Sequence, residues 1–101
     1  MPESIPTAVT DQAATHLSDL QTLLNQRGLL ARIFTSQRRL PRLRVINPDC
    51  TSLSEAITAA PREGEWSFWW SWAEQITPVS DPATAAERIG HVLTPAAHYA
   101  A

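Results

Sequence analysis

The stretch Trp66-Ser67-Phe68-Trp69-Trp70-Ser71-Trp72 constrains this chain more than any other segment. Side chains alternate across a strand with period two, so Trp66, Phe68, Trp70 and Trp72 share one face and Ser67, Trp69 and Ser71 the other. Glu65 to Ala73 is therefore predicted to be a strand whose aromatic face must be enclosed. Aromatic rings each bury roughly 150–250 Å² when enclosed, a large share of the core of a chain of 101 residues. The segments on either side must supply the cover.

They carry helical patterns suited to it. Ala13, Leu17, Leu20 and Leu24 recur at three- and four-residue steps, the apolar face of a helix running from an N-cap at Thr10 to Arg27, with Gly28 as its terminator. Asp81-Pro82 is a helix start, an N-cap acid followed by proline at N1, and Ala85, Ala86, Ile89, Val92 and Leu93 form the apolar face up to Thr94-Pro95. Between the helices, Leu29–Ser36 and Arg42–Asn47 read as strands, the second alternating Arg42, Leu43, Arg44, Val45 and ending at Asn47-Pro48-Asp49. Ser54–Ala60 carries two signals. Ser52 with Glu55 has the form of a capping box, but Pro61 follows too soon for a normal helix, and a strand is the preferred assignment. Pro61-Arg62-Glu63-Gly64 forms a tight hairpin loop, and the aromatic strand runs on through Gln75-Ile76-Thr77 after a break.

The expected fold is α+β: an antiparallel three- or four-stranded sheet with N- and C-terminal helices packed on one face. Residues 1–9 read as a flexible lead, 10–94 as a single domain and 95–101 as a flexible tail. The aromatic face would meet Leu17, Leu20, Leu24, Ile89 and Val92. No apolar run reaches the ~20 residues that span a bilayer, the N-terminus has no signal-peptide pattern, and Cys50 is the sole cysteine. These features point to a cytoplasmic protein with no membrane contact.

Landmarks from Leu29 to Leu93 carry a resemblance. They are Ala31-Arg32, Pro41-Arg42-Leu43-Arg44-Val45-Ile46-Asn47-Pro48, Ser54-Glu55, the segment Trp66 to Glu74, and Ala85-Ala86-Glu87-Arg88-Ile89. Together they resemble small uncharacterised proteins of high-GC actinobacteria, a likeness that implies no activity. The element order is also similar to that of type III secretion chaperone-like domains, which implies a fold that binds protein partners.

Charge is segregated. All eight basic residues are arginine, and Arg27, Arg32, Arg38, Arg39, Arg42 and Arg44 fall in residues 27–44, a stretch without an acid, although the net charge is −2. Arg42 and Arg44 share a strand face opposite Leu43 and Val45, and Arg32 stands opposite Ile33. If the even-numbered aromatics face the helices, Trp69 joins these arginines on the free face. Arg32, Arg38, Arg39, Arg42, Arg44 and Trp69 are thus the candidate partner-binding residues, because Trp with Arg is frequent hot-spot chemistry. The plainer alternative has the guanidiniums covering Trp69 and pairing with nearby acids.

The expected function is a non-catalytic protein-interaction or regulatory module that binds a protein or a second copy of itself through this face or the sheet edge. A nucleic-acid-binding accessory protein, using the arginine-rich hairpin, is the alternative, against which the net charge weighs. A third is a small-molecule binder with a pocket among the tryptophans. Catalysis has little to stand on. His16 reads as a packing residue, His91 suits a helix C-terminus, and Cys50 has no standard ligand spacing. Gly28, Gly64 and Gly90 are isolated, so no phosphate loop is present. No cofactor or metal is expected.

Overall fold

The computed structural model describes residues 7–36 and 39–94. Helix α1 (Thr7–Gln26) is followed by five strands, β1 (Leu30–Ser36), β2 (Arg39–Asn47), β3 (Cys50–Arg62), β4 (Glu65–Trp70) and β5 (Gln75–Pro78), and by helix α2 (Pro82–Val92). The strands form one antiparallel meander in the order β1-β2-β3-β4-β5. The α+β class is as the sequence implies. The fifth strand is the segment after Trp72, which doubles back on β4.

Local chemistry sets the boundaries. α1 begins three residues before Thr10, so residues 7–9 are helical rather than part of a lead; residues 1–6 and 95–101 lie outside the described residues. At the other end Gly28 adopts φ +88°, Leu29 N–H donates to Leu24 O at 3.1 Å and Gly28 N–H to Asn25 O at 3.0 Å, the Schellman closure. Glu63 and Gly64 both have positive φ and join Arg62 to Glu65, the mirror-image two-residue turn that matches strand twist. Asp81 caps α2 by accepting from Thr84 N–H at 3.2 Å. Ser54–Ala60 lies within β3, because cross-strand partners on both sides outweigh the capping-box signal.

Both helices lie on one face. Ala13, Leu17, Leu20 and Leu24 of α1 and Ala85, Ala86 and Ile89 of α2 enclose Leu43, Val45, Ile57, Ala59, Phe68 and Trp70 in one core. Trp66 packs at its margin, its ring 5.2 Å from that of His16. Two expected core members are outside. β4 stops at Trp70, where Ala73 N–H donates to Trp70 O and Trp70 N–H to Glu74 O. Ala73 has φ +67°, and the tight turn ends the alternation that placed Trp72 with the core. Trp72 instead stacks on Trp70, centroids 5.0 Å apart, and remains 52% exposed. Val92 is also exposed, because Ala85, Ala86, Ile89 and Leu93 already make the inward stripe of the second helix.

Helix side chains also take up main-chain groups on each edge strand. Gln21 Nε2 donates to Ala31 O at 2.8 Å and Asn25 Oδ1 accepts from Ala31 N–H at 3.1 Å, so α1 takes up an outward main-chain pair of β1. Arg88 of α2 donates to Ile76 O on β5, and Pro78 ends that strand without a donor. No helix among the described residues is long and apolar enough to cross a membrane.

Phe68→Ala should lower unfolding free energy by about 3–5 kcal/mol, because a fully buried ring is removed. Trp72→Ala, at the exposed end of the stack, should cost less than about 1 kcal/mol. Urea denaturation of both variants measures the difference; comparable losses would place Trp72 in the core.

Candidate functional site

The face of the sheet turned away from the helices carries the charge. Strand register arranges its residues in rows. Phe34 pairs with Arg42, Arg42 with Thr58, and Thr58 with Trp69, so one row runs Phe34–Arg42–Thr58–Trp69. The next runs Arg32–Arg44–Ala56 and a third Leu30–Ile46–Ser54. Leu43 and Val45, the intervening residues of β2, are fully buried on the helix side. The sequence expectation that Arg32, Arg42, Arg44 and Trp69 share the uncovered face therefore holds. Arg39 pairs with Ser36 beyond a bulge at Leu40-Pro41, and Ser36 has the parity of Arg32 and Phe34, so Arg39 stands at the β1–β2 hairpin end of the same face while Leu40 packs towards the core. Arg38 lies outside the described residues.

Trp69 has a different role from the exposed anchor that the sequence suggests. It is only 8% exposed. Its Nε1–H donates to Ala60 O at 3.0 Å, which lays the indole along β3. The guanidinium of Arg62 covers the ring at 4.3 Å from its centroid. Such a cation–π contact gains about 0.5–1 kcal/mol at an exposed site. The arginine that shields Trp69 is thus Arg62 from the β3–β4 hairpin, not a member of the cluster in residues 27–44.

Arg32, Arg42 and Arg44 are exposed, and none has an ion-pair partner among the described residues. Arg32 and Arg44 stand directly opposite each other across β1 and β2. Like charges in that position are mutually destabilising. Glu65 is the acid whose pairing with Arg62 places it at the far hairpin end of the same face. Two exposed apolar side chains complete the surface, Phe34 at 52% and Leu30 at 53%. Their signal in the sequence is parity alone: Leu30, Arg32 and Phe34 alternate on one face of β1 just as Arg42 and Arg44 do on β2.

The face is not flat. A hollow of about 430 Å³ is lined by Arg42, Thr58, Ala60, Arg62, Trp69 and Trp70 among others. A second, of about 260 Å³, is lined by Phe34, Arg42, Arg44 and Ala56. Arg42 and Ala56 line both, so the two hollows adjoin at these residues, the larger one lying as a groove over β3. A further hollow beside Trp70, lined also by Glu74, Glu87 and Val92, lies at the β5–α2 side. All three are open to solvent, whereas small-molecule sites generally enclose most of their ligand.

Among the described residues no group of three or more His, Cys, Asp or Glu side chains is placed to hold a metal ion. Cys50 is half-buried near Ser52, with Sγ 3.5 Å from its hydroxyl oxygen. His16 faces Trp66, and His91 is exposed in the last turn of α2. Comparison with family models, curated proteins and solved structures finds no match to the chain.

Two stability measurements follow from this geometry. Arg44→Glu should raise the thermal midpoint by converting a like-charge cross-strand pair into an opposite one, and the gain should shrink as salt is added. Trp69→Ala should lower stability by at least about 2 kcal/mol, as expected of a buried ring rather than a free hot spot. A lower midpoint for Arg44→Glu, or a neutral Trp69→Ala, would contradict the arrangement.

Proposed function

We propose that this protein is a non-catalytic interaction module whose binding surface is the helix-free face of its sheet. One observation carries the proposal: Arg32, Arg42 and Arg44 are displayed together on that face with no ion-pair partner among the described residues. A guanidinium fork forms strong paired hydrogen bonds with carboxylates or phosphates. Phe34 and Leu30 beside it add apolar area, the combination in which interface hot spots are built.

The face is preferred to the sheet edge, because side chains of α1 and α2 already occupy main-chain groups at Ala31 and Ile76. It is also preferred to face-to-face pairing of two copies, which would set arginine against arginine. The net charge of −2 favours a protein partner over nucleic acid. A lone, unpaired Cys50 suits work in the reducing cytoplasm. The likeness in element order to chaperone-like domains of type III secretion is consistent with protein binding, as a fold-level analogy.

The test compares affinity capture by the wild-type chain and by the Arg42→Glu/Arg44→Glu double variant from native extract, with and without nuclease. A protein retained by the wild type after nuclease and lost by the folded double variant is the expected result. Equal retention by both would refute the surface assignment. Loss of all partners on nuclease treatment would transfer the face to nucleic acid.

A further inference from the structure

The groove over β3 says more about the partner than the arginines alone. Its floor is made of Ala56, Thr58 and Ala60, successive outward positions of one strand that span about 14 Å at roughly 3.4 Å per residue. One wall is Arg42 on β2, and the opposite wall is Trp69 on β4 under its Arg62 cover. The space of about 430 Å³ between them has room for a large side chain. Because Trp69 is held by its bond to Ala60 O and by Arg62, this wall exists before any partner arrives. Preformed walls reduce the ordering cost of binding.

The charge of the rim completes the description. Arg42 and Arg62 line the larger hollow and Arg42 and Arg44 the smaller, so cations flank the apolar floor along the groove. A complementary ligand presents an apolar group for the floor and negative charge to both sides of it. Short-range apolar contact would fix its register, and the guanidiniums would steer its approach.

Resting on the reading of this face as the binding surface, we infer that its occupant is an acidic segment of a partner protein, one that lodges an apolar side chain between Arg42 and Trp69 and sets flanking carboxylates on Arg42, Arg44 and Arg62. A nucleic-acid strand would satisfy the arginines but offers a charged backbone at every step. The walled apolar floor favours a polypeptide, in which acidic and apolar side chains alternate freely. A second copy of this chain presents its own arginines and is disfavoured for the same reason as above.

The experiment is selection of random short peptides displayed against the full chain, carried out in parallel on wild type and on Arg42→Glu/Arg44→Glu. The strongest peptide is then titrated against wild type, against Thr58→Phe, which fills the groove from its floor, and against oligothymidylate as competitor. Ala56→Leu is the second filling variant should Thr58→Phe fail to fold. The expected outcome is enrichment of peptides with acidic residues on both sides of an apolar one, lost on the double variant. Binding should weaken at least about tenfold in Thr58→Phe, a factor worth about 1.4 kcal/mol. Acidic peptides lost on the double variant but unaffected by filling the groove would overturn the anchor while leaving the surface reading intact. No enrichment, or enrichment that the charge reversal leaves unchanged, would overturn both. Oligothymidylate displacing the peptide at lower concentration than the peptide itself would overturn the protein occupant.

Discussion

Enclosure of Phe68 and Trp70 by α1 and α2 decides which side of the sheet is core, and every other feature of the surface follows from it. Strands alternate their side chains, so once the helix side is fixed at β4, register carries the assignment strand by strand to Ala59, Ile57, Leu43 and Val45. The residues between them are turned outward by the same rule. Two helices of this length cover one face of a five-stranded sheet, and both are committed to the aromatic side. Arg32, Arg42, Arg44 and Trp69 share the remaining face because the core excludes them from the other.

That uncovered face carries a cost. Two arginines directly across an antiparallel pair repel each other, and no acid among the described residues relieves them by an ion pair. Trp69, by contrast, is satisfied within the chain, its indole hydrogen-bonded to Ala60 and capped by Arg62. The face is thus divided into a finished part at β3–β4 and an unsatisfied cationic part at β1–β2. The groove over Ala56 and Thr58 joins them. Electrostatic attraction of this kind governs approach and orientation more than final affinity, while apolar area in the groove governs residence.

Much of this was legible in the sequence where a single periodicity ruled a segment. Both helices, the strand expected from Glu65 to Ala73 as far as Trp70, and the side taken by Arg42 and Arg44 follow from spacing alone. The sequence was less informative where a turn interrupted the period. Trp72 looked like a fourth core aromatic because parity was carried past Trp70, whereas Ala73 at φ +67° folds the chain back there. Arg62 was missed as the partner of Trp69 because their proximity depends on the hairpin at Glu63-Gly64 and on the tilt of an indole, neither of which a linear pattern encodes. Phe34 could have been found by extending the alternation of Arg32 by one step. Ser54–Ala60 was ambiguous because its capping signal is local, while the pairing that makes it a strand comes from β2 and β4.

The central claim is that β1, β2 and β3 present an uncovered, positively charged face. It is tested most directly by solvent paramagnetic relaxation of the free protein, comparing an anionic with a neutral paramagnetic probe. The account predicts excess relaxation by the anionic probe at Arg32, Phe34, Arg42, Arg44 and Ala56, fading as salt is raised, with none over Asp11 and Asp19 on the exposed side of α1. Equal relaxation by the two probes at those arginines, or protection of the face from both, would contradict it.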